Sequence, residues 1–144
     1  MRPTLSNARI WILALGLLAS AGCAARSTAP GLPRGVLEAR EGVATFYGQE
    51  FQGKTTASGA RFDMRSLVAA HPTYPFGTIV RVTNLANGRR VQVRIVDRGP
   101  AASARAAGVV IDLSYRGAET LRFLREGRTR VRLEVLSWGD RSQP

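Results

Sequence analysis

Two alternating runs constrain this chain most: TIVRVTNL at 78–85 and RVQVRIVD at 90–97, joined by ANGR. Period-two alternation of β-branched residues marks half-buried strands, and an Asn-Gly pair supplies the backbone angles of a tight reversal, so the runs predict a hairpin. Residues two apart share a strand face. Val91, Val93 and Ile95 therefore fall on the core side, and Asp97 comes next in the same phase. An acid that ends an apolar row is the first candidate for a functional group.

The remaining patterns extend this to a fold. GVATFY (42–47), the short apolar run RSLVAAH (65–71) and GVVIDLS (108–114) read as strand-like. In TRVRLEVL (129–136), Val131, Leu133 and Val135 point in and Arg130, Arg132 and Glu134 point out. Ser114 is placed to cap a helix through YRGAETLRFL that stops near Gly127. FQGKTTASGARFD (51–63), dense in Gly, Ser and Thr, reads as a functional surface loop. Five or six short strands with one or two short helices predict a mainly β fold, a small closed barrel, because closure removes exposed strand edges. The barrel domain is assigned to residues 41–137 and a loose tail to 138–144.

The N-terminus has the layout of a signal peptide over residues 1–22: Arg2 and Arg9, the apolar run IWILALGLLA, then small residues up to Cys23. That run is too short to span a bilayer. Cys23 is the only cysteine, so it has no internal disulfide partner. Its position is similar to that of the lipidated cysteine in bacterial lipoprotein signals, which implies a membrane anchor followed by a flexible tether over 23–40. Ordinary signal cleavage is the alternative. Either way the expectation is an exported, periplasmic protein, in the lipidated case held at the outer membrane.

Charge narrows the partners. The chain of 144 residues carries +11, with twenty Arg and one Lys, and removing residues 1–22 takes away two Arg and no acids, leaving +9. An Arg-rich surface suits polyanions: nucleic acid, anionic lipid or cell-wall glycan. Export and the lack of a basic helix or RNA-binding motif argue against nucleic acid. His71 is the only histidine, so no His-rich metal cluster exists, and neither metal nor other cofactor is expected.

Taken in order, GVATFYG, KTTASGARFDM, LVAAHPTYPFGTIVRVTNLANGRRVQVRIVDRGP and VIDLSYRGAETL resemble the rare lipoprotein A family, septal-ring lytic transglycosylases, over residues 42–136. The resemblance implies a six-stranded double-psi β-barrel, peptidoglycan glycan strands as substrate, and 1,6-anhydro products. It places the family's catalytic acid on Asp97 and its histidine on His71. The family's TANGE motif carries a second carboxylate, and that position here is Ala60, with Ser58 at the Asn position.

In lytic transfer one carboxyl can protonate the leaving oxygen and then accept a proton, so Asp97 suffices in principle, with partial burial as the means of holding its proton. His71 would orient Asp97 or bind a sugar hydroxyl. Phe46, Tyr47, Tyr74 and Phe76 flank the loops and are candidates for sugar stacking, equally readable as core. Asp63 either closes an Asx-type turn or substitutes for the missing Glu, and Glu50 is a weaker candidate. Arg98 is a candidate substrate contact, and Asp112 reads as support for the helix N-terminus. Two functions stay open: a monomeric transglycosylase, or a non-catalytic peptidoglycan-binding barrel.

Overall fold

The computed structural model describes residues 31–140 and residue 142, so the stretch read as a signal peptide, Cys23 and the first part of the stretch read as a tether lie outside the described residues. Six strands and two helices follow in order: β1 (Glu38–Phe46), β2 (Val68–Ala70), β3 (Ile79–Asn84), β4 (Arg90–Asp97), α1 (Ala102–Ala106), β5 (Val109–Leu113), α2 (Tyr115–Leu121) and β6 (Thr129–Ser137). The strands close into a barrel in the order β1, β5, β2, β4, β3, β6, with β6 returning to β1. β1 with β5 and β2 with β4 are parallel. The other four pairings are antiparallel.

Alternation fills the barrel as the sequence predicts. Val80 and Val82 on β3, Val93 and Ile95 on β4, and Val131, Leu133 and Val135 on β6 are buried and pack with Ile111 and Leu113 of β5. Removing this apolar surface from water is the main stabilising term. The hairpin pairs Val82 with Val91 and Val80 with Val93. Its turn is longer than a two-residue reversal: the Gly88 N–H donates to the Asn84 carbonyl at 2.8 Å, and Gly88 takes a φ of +74°. Asn84 ties this turn to α2 through a 2.9 Å bond from its amide to the Leu121 carbonyl.

Helix α2 starts as expected, with the Ser114 hydroxyl accepting the Gly117 N–H at 3.2 Å. It ends at Leu121, well before Gly127. Arg122 adopts a left-handed backbone, φ 56°, and the Phe123 N–H reaches back to the Ala118 carbonyl at 3.2 Å. This is a Schellman-type stop, and it turns the Phe123 side chain into the core. β1 begins at Glu38, within the stretch read as tether, where it pairs with β6 from Val135 downwards. Trp138, assigned to the loose tail, packs edge-on against Tyr74, and the Gly139 N–H donates to the Thr78 hydroxyl at 3.0 Å.

Candidate active site

The expectation for Asp97 is corrected by one residue of backbone. Ala69 of β2 pairs with Ile95, but Ala70 pairs with Asp97, so β4 carries a β-bulge at Val96. A bulge sets two residues against one and resets the alternation beyond it. Ile95 therefore points into the barrel, and Asp97 shares the outer side with Ala70 instead of continuing the apolar row.

That shift completes a row across four strands. Ala70 also pairs with Asp112 of β5, and Asp112 pairs with Thr45 of β1. Thr45, Asp112, Ala70 and Asp97 thus stand side by side on the outer face. With adjacent strands about 4.8 Å apart, the two acids start from backbones roughly 10 Å apart. Tyr47, two residues beyond Thr45, and Gly99, two beyond Asp97, close over Ala70. A Cβ on Gly99 would meet Asp112 Oδ2 at 3.1 Å, Ala70 Cβ at 3.4 Å and Tyr47 Oη at 3.9 Å, at a φ of +155° that side chains rarely adopt. Glycine is therefore required in the DRGP loop at the point where the chain passes Asp112.

Asp97 is half-buried and its oxygens are engaged by three donors. The Tyr47 hydroxyl donates to Oδ2 at 2.8 Å, and the N–H groups of Ala57 and Arg98 donate to Oδ1, each at 2.8 Å. Such a set suits an ionised carboxylate, which only accepts. The Ala57 N–H is positioned by the 51–63 loop, which folds into a small hairpin. Thr56 donates to the Ala60 carbonyl through both its N–H and its hydroxyl, each at 2.8 Å, and the Ser58 N–H donates to the Val96 carbonyl of the bulge at 3.2 Å. Burial first, then the hydrogen bond to Asp97 and the charges of Asp97 and Asp112, push the Tyr47 phenol far above its ordinary pKa, so it remains a donor.

Asp112 occupies a different environment. It is half-buried and its Oδ1 accepts the Thr45 hydroxyl. Burial raises its pKa, the Thr45 bond opposes the shift, and the charge on Asp97 raises it further. The two acids of the row thus have different hydrogen-bond partners, three donors on Asp97 and the Thr45 hydroxyl on Asp112. The structure assigns Asp112 to this row, not to the support of the helix terminus expected from sequence.

The other candidates are distributed elsewhere. His71 is fully buried. Its Nδ1 accepts the N–H groups of Thr73 and Tyr74, at 3.2 and 3.0 Å, and its ring stacks on Tyr74 with centroids 3.5 Å apart. With Nδ1 accepting, the proton is on Nε2, which has no partner among the described residues. Burial, then the charges of Arg40 and Arg98, push its pKa down to about 3, so it is neutral at ordinary pH. This geometry makes His71 a support of the 71–74 turn; its link to Asp97 is the backbone bond from the His71 N–H to the Asp97 carbonyl at 3.2 Å. Tyr74 is buried, with its hydroxyl on Glu38 at 2.6 Å, and has no face free for a sugar. Phe46 points inward with Leu113 and packs edge-on against Phe123 and Tyr115, while Tyr47, one residue on, points out to Asp97. Phe76 is buried beneath the Arg98 guanidinium, 3.8 Å from its ring, and Arg98 also donates to the Tyr74 carbonyl at 2.9 Å. Asp63 closes its own turn through Arg65 N–H and the Ser66 hydroxyl, which together hold its pKa below the usual carboxylate range. Glu50 is exposed on a one-turn 3-10 helix, and Ala60 is exposed on the loop hairpin.

A cleft of about 640 Å³ is lined by Gln49, Met64, Arg65, Tyr115, Arg116 and Glu119 and contains neither row acid. Sequence reasoning named Asp97 and Tyr47 separately, the latter for sugar stacking, and did not place Asp112 and Thr45 beside them. Their signal was the phase of GVVIDLS, in which Asp112 alternates with inward Ile111 and Leu113.

A closed six-stranded barrel with two parallel pairs and an acid row on its outer face defines a double-psi β-barrel with a carboxylate site. Solved structures of that fold superpose on it: a Streptomyces papain inhibitor, at TM-score 0.56 and 24% identity over 71% of this chain and 97% of that one; and an expansin of Clavibacter michiganensis, at TM-score 0.54 and 21% identity over 72% and 52%. A family model described as lytic transglycolase matches residues 39–133, and the chain belongs to that family. It is 43% identical over 102 residues to the endolytic peptidoglycan transglycosylase RlpA of Campylobacter jejuni, covering 71% of this chain and 36% of the relative. It is 50% identical over 91 residues to the probable endolytic peptidoglycan transglycosylase RlpA of Treponema pallidum, covering 63% and 27%. The chain thus matches about a third or less of these relatives' length.

Proposed function

We propose that this barrel is a lytic transglycosylase that cleaves the glycan strands of peptidoglycan, with Asp97 as its acid–base carboxylate. In lytic transfer the C1–O bond to the leaving sugar breaks as the C6 hydroxyl of the same ring forms a new bond to C1. One proton moves from that hydroxyl to the leaving oxygen, and no water is consumed. A carboxyl must carry that proton, and one on an open face can reach an extended strand. The observation that carries the reading is Asp97 itself: an acid of the matched family region, half-exposed, and oriented by Tyr47, Ala57 and Arg98. His71 is a positioning residue in this reading, through the 71–74 turn.

Export, lipidation of Cys23 and an outer-membrane location for a monomeric barrel form part of the same proposal, resting on the N-terminal sequence pattern. Ala60 favours a second reading, a barrel that binds peptidoglycan without cutting it. Digestion of purified peptidoglycan with the mature chain distinguishes the two. The enzyme reading expects anhydro-terminated fragments by mass spectrometry, and a rate at least about 100-fold lower in Asp97→Asn with unchanged thermal unfolding. Strand binding without any fragments would establish the binding module instead.

A further inference from the structure

The family's second carboxylate is missing at Ala60, yet the outer row holds a second acid. Asp112 shares Ala70 as neighbour with Asp97, and the DRGP loop makes room for it at Gly99. Asp112 Oδ2 and Tyr47 Oη lie 3.1 and 3.9 Å from the one point where a Gly99 Cβ would stand, and Tyr47 bonds Asp97 at 2.8 Å, so the two acids border one small patch. Resting on the transglycosylase reading, we infer that Asp112 is a second catalytic carboxyl of this site, the proton donor to the leaving oxygen, and that Asp97 is its base.

The division follows from the hydrogen bonds. Asp97 accepts from three donors, which orient it and leave one acceptor site of its carboxylate for an incoming proton. Asp112 has the Thr45 hydroxyl on Oδ1, and its Oδ2 faces the passing loop. The Asp112 carboxyl gives its proton to the leaving oxygen as the C1–O bond breaks. The C6 hydroxyl bonds to C1, and Asp97 takes the proton it releases. One proton exchange between the acids, directly or through solvent, restores the starting state, so neither water nor another reactant is consumed. The titratable groups facing Asp112 are Asp97 on β4 and the Tyr47 phenol after β1; β2 presents only the Ala70 methyl and β1 the Thr45 hydroxyl. Burial and the Asp97 charge both favour the protonated acid, against the Thr45 bond.

The test is the pH–rate profile of the mature chain on purified peptidoglycan for wild type, Asp112→Asn and Asp112→Glu, with strand binding and thermal unfolding measured alongside. Wild-type activity should fall as pH rises through the Asp112 titration. Asp112→Asn should lose at least about 100-fold in kcat, with binding and unfolding temperature retained. Asp112→Glu should recover part of the rate with a displaced alkaline limb. A wild type that releases no fragments defeats the transglycosylase reading and this inference with it. A wild type that cuts, with Asp112→Asn cutting equally well or with the same alkaline limb, overturns the assignment of Asp112 alone. A lower unfolding temperature with an unaltered profile would show Asp112 to be structural and overturn it too.

Discussion

The two sides of the barrel are built from the same residue types and do different work. The antiparallel side, β3 with β4 and β6, keeps strict alternation apart from one register shift at the start of β3, between Ile79 and Val80, and its exterior Glu134 is paired twice: Arg81 meets it at 2.7 Å and Arg132 at 3.7 Å. The parallel pairings, β1 with β5 and β2 with β4, each contain a register shift, and the outer row of Thr45, Asp112, Ala70 and Asp97 lies across them. Here the acids have hydroxyl and backbone donors and, among the described residues, no ion pair. Regular pairing makes a wall, and irregular pairing re-aims side chains into a site.

The contrast predicts opposite outcomes for loss of an apolar and of a polar group. Leu133 is fully buried on β6, between β1 and β3. Leu133→Ala should cost about 2–5 kcal/mol in denaturant unfolding, from lost transfer energy and the cavity left behind. Activity per folded molecule should stay at the wild-type level, the reverse of the pattern expected for Asp97→Asn. A Leu133→Ala chain of normal stability and poor kcat would remove the division between wall and site.

The same contrast explains what the sequence disclosed. Antiparallel alternation is local, so Val80, Val82, Val91, Val93, Val131, Leu133 and Val135 could all be placed inside from their phase alone. The bulge at Val96 could not. It is specified by how Ala69 and Ala70 meet β4 across the barrel, and one residue of slip moves Asp97 from the inner to the outer face. Asp112 was visible as an acid in a strand. Its kinship with Asp97 depends on both flanking β2, a relation between positions 70, 97 and 112 that no local pattern carries. Phe46 and Tyr47 illustrate the legible case: adjacent residues in a strand take opposite faces, so one joins the core and the other reaches Asp97.

His71 lies where the two sides meet, and it gives a pH-dependent prediction. Its pKa falls from 6.5 to about 3 on folding, so the folded state binds fewer protons than the unfolded state in between. Stability from this group is therefore full above about pH 6.5 and is lost progressively as pH falls toward 3, with a slope approaching about 1.4 kcal/mol per pH unit. In His71→Asn the side-chain carbonyl can replace Nδ1 as acceptor for Thr73 and Tyr74 while removing the titration. Unfolding free energies measured from pH 7 to 4 should converge between the two proteins in acid. Parallel curves would mean that His71 is not held neutral by burial.

The smallest effect is expected on the antiparallel wall. Glu134 is nearly covered, while Arg81 retains partial exposure, and hydrogen bonding to Arg81 holds the Glu134 pKa below the usual range. Arg81→Ala removes the short partner and leaves Glu134 with Arg132, which is already within reach at 3.7 Å. Solvent at the Arg81 end and the remaining cation both limit the loss, which should be about 1 kcal/mol at most at low salt and less at high salt. Cleavage of peptidoglycan should be unchanged, because this wall is separate from the four-strand row. A drop in cleavage that salt reproduces in the wild type would instead place part of the glycan on the Arg-rich wall, and the barrel would then use both sides.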